Sequence, residues 1–374
     1  MAIRYSGQPI VAEVLRRIKD SFVFMPRIKV GHLHTNSIGH LANETDIYLS
    51  SSECNRKNLV FWIPGDYISN EYLYEMISKK LKIGHNRVLK IIYRIATKVK
   101  FLSKFLIANE DCSPRSRYIL NNSKAKFVLP DCDLETAKKF LRDYGWTEGQ
   151  EIVVFCIRDN LYQLTRDPQS KVQNFRNSYV EDFLPVVKYL CSENYFVLRM
   201  GKVAEKEFPI ESSNFLDYAF NAQKSDLLDI VLIAFSDYII STGTGLDQVG
   251  EMFRKPVLRI NYLPIGDTMT RSRNYSVLPK LFKDSHTNTR LDLDEIVRRG
   301  LFFANTDDQY AKAQVKVFSN PHSSILEEIK YFVGKSEREI DYSSSLQKTF
   351  SKYMREEIGF KEEDVPLLSS LWLR

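Results

Sequence analysis

Four apolar runs recur in the second half of the chain, each followed by polar residues or glycine and then by a helical pattern: EIVVFCI (151–157), YFVLRMG (195–201), DYIIST (237–242) and PVLRINY (256–262). Their apolar residues occupy successive positions rather than alternate ones, so both faces of each strand must be covered. The stretches between them, SYVEDFLPVVKYLCSEN (178–194), SDLLDIVLIAFS (225–236) and GTGLDQVGEMFRK (243–255), read as helices, the first bent or broken near Pro185. Buried strands alternating with helices are the pattern of an α/β fold on a parallel sheet.

The first half carries the same rhythm less clearly. Strands are expected at RIKVGHLH (27–34), TDIYLS (45–50) and NLVFWIP (58–64). SNEYLYEMISKKL (69–81) reads as a helix capped by Ser69 or Asn70 with Glu71 in its first turn. DLETAKKFLRDYG (133–145) reads as another, with Asp133 as N-cap and Gly145 just past its end; NEDCSPRSRY (109–118) is loop-like. A length of 374 residues and a mass of 43.6 kDa imply two domains. WTEGQ (146–150) reads as the linker, giving an N-terminal domain over 1–148, a C-terminal domain over 149–335 and a partly helical tail over 336–374.

Composition excludes several classes. Hydrophobic residues make up 44% and charged residues 27%, with a mean hydropathy of −0.29, which is neither disordered nor membrane-spanning. No apolar run approaches the roughly 18–20 residues that a spanning helix needs. The opening MAIRYSGQPIVAEVLRRIKD is charged too early and too often for a signal peptide. The cysteines, Cys54, Cys112, Cys132, Cys156 and Cys191, form no CxxC pair and read as reduced thiols of a cytoplasmic protein.

Ligands of parallel α/β sheets collect beyond the carboxyl ends of the strands. The first strong strand ends in Arg158 and Asp159, with Tyr162 shortly after; the second ends in Arg199 and Gly201; the third runs into Ser241, Thr242, Gly243, Thr244 and Gly245 before a helix. Glycines let backbone approach a ligand, and free N–H groups at a helix start favour an anion. Two arginines and such a turn aimed at one crevice suit a diphosphate. Asp159 would orient the Arg158 guanidinium or the loop.

The segments FCIRDNLY, NFRNSYVEDFLPVVKYLCSENYFVLRMG, FLDYA and STGTGLDQVGEMFRKPVLRIN together resemble a family of bacterial glycosyltransferases that accompany surface-polysaccharide genes. The resemblance covers 151–262 and extends more weakly to SIGHLANETDIYLS and ISNEYLYEMISKKL. It implies a GT-B-like α/β architecture: two Rossmann-like domains with parallel sheets facing an interdomain cleft, the nucleotide-sugar donor held mainly by the C-terminal one. Carried over residue by residue, it implies that Arg158, Arg199 and the turn from Ser241 to Gly245 hold the donor diphosphate. Asp247 or Glu251 would bind the ribose, Asp217 and Tyr218 would lie near the base, and Arg176 and Asn177 would face the sugar. It also implies a glycan or lipid-linked acceptor.

Such a transfer leaves negative charge on the diphosphate, which fixed cations and N–H dipoles stabilise without a metal or other cofactor. Asp131-Cys132-Asp133 and Asp292-Leu293-Asp294 spell DxD, but both stand where helices begin and read as caps. An inverting transferase also needs a base for the acceptor hydroxyl, and His40 or Glu44 in SIGHLANETD is the candidate, with Asp46 nearby and Asp66 after the strand NLVFWIP. His32 and His34 share one strand face, and two histidines without a third ligand do not make a metal site.

Net charge is +6, and the excess is concentrated: no acidic residue lies between Glu75 and Glu110, where nine lysines and arginines occur. The rest of the chain is slightly acidic. Within 79–106, apolar Val88, Leu89, Ile91, Ile92, Ile95, Val99, Leu102 and Leu106 recur at helical spacing, with Arg87, Lys90, Arg94 and Lys98 on another face. Such a helix suits an anionic membrane surface, placing the protein peripherally on the inner face of the plasma membrane; it equally suits a domain helix with a solvated basic face. No nucleic-acid-binding motif accompanies it. The competing functions are a nucleotide-sugar 2-epimerase on the same architecture and a non-catalytic nucleotide-sugar-binding protein.

Overall fold

The computed structural model describes residues 28–55, 58–107, 119–120, 123–169, 172–268, 276–334, 343–359 and 365–372. The opening twenty residues, the loop at 109–118 with Cys112, and the start of the tail lie outside that set.

The dominant element is a seven-stranded sheet in which every pairing is parallel. In order across the sheet its strands are the edge strand Leu367–Leu368, β8 (Ser276–Pro279), β7 (Val257–Tyr262), β6 (Tyr238–Ser241), β3 (Ile152–Cys156), β4 (Phe196–Met200) and β5 (Phe215–Asp217). Chain order reverses between β3 and β6, so the loops leaving these two neighbours diverge to opposite sides and open a crevice. The four apolar runs of the sequence are four of these strands, and β3 and β4 are buried at every position.

Both faces of the sheet are covered, as the strand pattern requires. One face packs Val153, Phe155 and Val197 with the Val180–Ser192 and His322–Phe332 helices and with the tail. The tail does more than pack: Ser345–Tyr353 is helical, Leu367–Leu368 adds the edge strand beside β8, and Trp372 is buried. On the other face Val154, Leu198 and Ile239 share one apolar cluster with Leu33, Leu41 and Trp62 of the N-terminal half.

That half contains β1 (Ile28–Leu33) paired in parallel with β2 (Leu59–Pro64), flanked by parallel bridges Val30–Leu106 and Trp62–Ile83. The expected strand at 45–50 is instead the end of the Ile38–Ser50 helix. Leu41, Thr45 and Tyr48 lie at helical spacing and are buried, and Arg254 grips Asp46 from the other half with contacts of 2.7 and 3.1 Å, so tertiary packing overrides the β-branched composition. Asn70, not Ser69, caps the Glu71–Ser78 helix by accepting from Leu73 N–H. Pro130 occupies the cap position expected for Asp133, whose carboxylate accepts from Tyr72 instead, whereas Asp292 does cap its helix.

The basic segment is not one helix. An α-helix spans Arg87–Ala96, and after a turn Lys100–Phe105 is 3₁₀. Among the described residues no helix is long and apolar enough to cross a membrane.

Candidate functional site

The crevice at the switch point between β3 and β6 is lined by Arg158, Asp159, Tyr162, Gly201, Thr244 and Gly245 from the C-terminal half. Ile38, which opens the helix after β1, and Ser69, on the loop leaving β2, close it from the other side. Carboxyl ends of both parallel sheets therefore face the same space.

The approach of the halves is fixed by two glycines. A Cβ on Gly39 would lie 2.9 Å from the Cα of Gly245, so the first turns of the Ile38–Ser50 and Gly245–Met252 helices touch backbone to backbone. Lys202 adds a bond to the Ser69 carbonyl (3.2 Å), and Asp226 accepts from Glu71 N–H (2.6 Å).

Two guanidiniums stand together above the glycine turn. Arg158 and Arg176 both donate to the side-chain oxygen of Gln173, at 3.1 and 3.3 Å, and Arg176 also donates to the Gly243 carbonyl at 2.9 Å. The Arg158 backbone N–H donates to Thr242 Oγ1 (2.8 Å), tying the end of β3 to the start of the turn. Among the described residues no carboxylate lies within ion-pairing distance of either guanidinium, and the Nε–H of each is buried without an acceptor. Burial, and then the charge of Arg176, push Arg158 down to about 10, so it remains charged at neutral pH. Lys280, bonded to the Asn177 carbonyl, stands next to this loop, and burial pushes its amine down to about 8.

The turn is built to hold its shape. Gly243 has φ +92°, and a Cβ there would meet the Tyr262 ring at 2.8 Å. Ser241 Oγ accepts from Gly243 N–H at 3.0 Å and donates to Asp247 at 2.8 Å. Asp159 braces the rim with its two oxygens on Leu161 and Glu205 N–H (3.0 and 2.9 Å), which is the loop role rather than the guanidinium one.

Five expected donor residues point elsewhere. Arg199 is 1% exposed and pairs with Asp217 at 3.0 Å inside the sheet. Asp217 also accepts from Phe208 N–H, so neither residue reaches the crevice. Tyr218 is fully buried, its hydroxyl on Asp229 at 3.0 Å. Asp247 and Glu251 are buried with Arg259, Glu251 at 2.6 Å, which leaves neither carboxylate for a ribose. The reason is geometric: a side chain inside a strand or on the inner face of a helix points across the sheet, and only the residues past a strand end point along it.

Other lining residues were not singled out by sequence, among them Lys202, Leu246 and Asp229. Lys202 directly follows Gly201 and is the second residue beyond β4. Asp229 interrupts an apolar helix one turn after Asp226. Burial pushes its carboxyl up to about 6.

On the helix whose first residue, Ile38, lines the crevice, helical spacing places His40 and Glu44 on one face, and neither of them is a lining residue. Glu44 contacts His40 Nδ1 at 2.9 Å and His34 Nδ1 at 2.6 Å. Burial alone would lift the Glu44 carboxyl, and the two histidine bonds outweigh it, holding it below its ordinary value. The bond to Glu44 raises His34, while burial and the neighbouring His34 lower His32. An ionised Glu44 only accepts, so both imidazoles donate from Nδ1 and His40 Nε2 is left as a lone-pair base when the ring is neutral.

No protein-family model and no curated protein matches the chain. Among solved structures it is similar to a family 9 glycosyl transferase from Veillonella parvula, at 10% identity and a TM-score of 0.46, covering 83% of this chain and 99% of that one. It is also similar to ADP-heptose lps heptosyltransferase II from E. coli, at 10% identity and a TM-score of 0.40, covering 62% and 84%. A third is E. coli heptosyltransferase WaaC with ADP-2-deoxy-2-fluoro heptose, at 12% identity and a TM-score of 0.36, covering 67% and 92%.

Proposed function

We propose that the chain is a glycosyltransferase that moves a sugar from a nucleotide-sugar donor to a glycan or lipid-linked acceptor in surface-polysaccharide synthesis. The observation that carries this reading is the pair Arg158 and Arg176, adjacent cations with no carboxylate partner among the described residues, over a glycine turn at the switch point of a parallel sheet. Holding two like charges together in a half-buried place is unfavourable unless an anion of matching charge completes it. A diphosphate does so, bridging the guanidiniums and the N–H groups that open the Gly245–Met252 helix.

In the proposed reaction the acceptor oxygen attacks the anomeric carbon, and the bond to the diphosphate breaks with its electron pair going to the phosphate oxygen. Arg158 and Arg176 stabilise that charge, and the mechanism needs no metal. The acceptor's proton goes to His40 Nε2, with Glu44 fixing the ring and sharing the charge that forms. Asp247 acts as a positioning residue, holding the Ser241 hydroxyl that shapes the turn. The enzyme works in the cytoplasm, where nucleotide sugars are made, at the inner membrane face where a lipid-linked acceptor is presented.

The test is a transfer assay with a panel of nucleotide sugars in the presence of EDTA. Release of nucleoside diphosphate with a lengthened acceptor is expected, and Arg158→Ala should lower the rate about 10²–10³-fold. Recovery of an epimerised sugar nucleotide without transfer would establish the epimerase instead.

A further inference from the structure

We propose that the segment from Arg87 to Phe105 is a docking surface for an anionic lipid bilayer, seating the crevice on the membrane. The Arg87–Ala96 helix divides its apolar residues between two faces. Leu89, Tyr93 and Ala96 turn inward, Leu89 against Gly84 and Tyr93 stacked on His32 with ring centroids 5.8 Å apart. Val88, Ile91, Ile92 and Ile95 turn outward at successive helical positions, each between 46% and 57% exposed, and Val99 and Phe105 continue the patch. A contiguous apolar face in water calls for a cover.

The charges around it select the cover. Arg87, Arg94, Lys98, Lys100 and Lys104 are exposed along the flanks of the patch, and no acidic residue interrupts the stretch. Lys90 differs, turning to Asp66 Oδ1 at 3.3 Å. A second copy laid face to face would set cations against cations. An anionic bilayer meets both features, its acyl region taking the isoleucines and its headgroups the cations.

The docked helix is also connected to the proposed base. Behind Tyr93 the rings of His32, His34 and His40 follow with centroid spacings of 4.6 and 5.8 Å, ending on the helix turn that touches Gly245. Docking would thus bring a lipid-linked acceptor to the histidine side of the crevice; this consequence rests on the transferase reading, whereas bilayer binding does not.

Flotation of the full chain with vesicles of phosphatidylcholine, with and without phosphatidylglycerol, tests the surface. Binding to the anionic vesicles alone, lost at high salt, is expected. Reversing Arg87, Arg94 and Lys98 to Glu should weaken partitioning by at least about a hundredfold, and Ile91→Gln with Ile95→Gln should abolish it without changing the thermal midpoint, since both side chains are half exposed. Absence of binding, or equal binding to neutral vesicles, overturns the proposal. So does self-association in sedimentation velocity that the double glutamine variant removes. Bilayer binding without sugar transfer would leave the docking surface standing and remove the transferase reading.

Discussion

Two pairs of arginines occupy the same C-terminal unit and do opposite things. Arg199 and Arg259 lie within β4 and β7, each 1% exposed and each facing carboxylates inside the protein. Arg158 lies past the end of β3 and lines the crevice, and Arg176, on the Asn174–Arg176 turn further along, shares one amide oxygen with it. Inside a strand, a guanidinium must bring its counter-charge with it, because the sheet faces are dry. Beyond the strand, it can be left for a ligand. Position relative to the strand end, not residue type, decides which.

The comparison predicts opposite costs. Arg199→Ala should lower unfolding free energy by about 3–5 kcal/mol in denaturant titrations, because the largely enclosed Asp217 carboxylate is left without its cation. Arg158→Ala should leave stability nearly unchanged; a large loss there would erase the distinction.

Asp229 is the anionic counterpart at the same rim, buried with Tyr218 but with no cation at pairing distance among the described residues. Its folded pKa lies above the ordinary value, so the folded state holds that proton more tightly. Stability then falls as pH rises from 3.8 to about 6 and stays lower above that. Asp229→Asn should raise stability at pH 7 by about 1–3 kcal/mol and flatten the curve between those values. An unchanged pH profile would mean the carboxyl is hydrated.

Gly39→Ala sharpens the geometry of the rim, since its Cβ would sit 2.9 Å from Gly245 Cα and must part the two helices. Overpacking of that kind costs about 1–3 kcal/mol, and ligand binding should weaken along with it. Full tolerance would show that the halves already stand further apart.

The smallest effect belongs to the histidine cluster. His34 is raised above its ordinary 6.5, so its bond to Glu44 stabilises the fold fully below that value and is lost as pH rises through the raised one. Glu44 is depressed, so its share is present above its ordinary value and lost only as pH falls through the lowered one. Because His34 is 40% exposed, solvent screening limits Glu44→Gln to about 0.2–1 kcal/mol, larger at pH 5.5 than at pH 8.5.

Much of this was legible in the sequence because buried strands and glycine turns leave local marks. The sheet, the turn at Gly243, and the positions of Arg158 and Tyr162 follow from apolar runs and what succeeds them. The errors arose where long-range contacts decide. Thr45–Ser50 has strand composition yet completes a helix because Arg254 holds Asp46. Arg199 is the fourth residue of β4, and the one-residue difference between pointing across the sheet and pointing along it is invisible without the strand boundary. The outward isoleucines of the basic helix needed the inward face to be identified first.

Calorimetric titration with nucleoside diphosphates, alongside the corresponding nucleosides, asks whether Arg158 and Arg176 hold a diphosphate. The wild-type chain and Arg199→Ala, under conditions where it stays folded, should bind a diphosphate, and Arg158→Ala and Arg176→Ala should each lose at least about tenfold in affinity, with nucleoside binding unchanged. Equal diphosphate affinity in Arg158→Ala and wild type would mean that these arginines are not a diphosphate site.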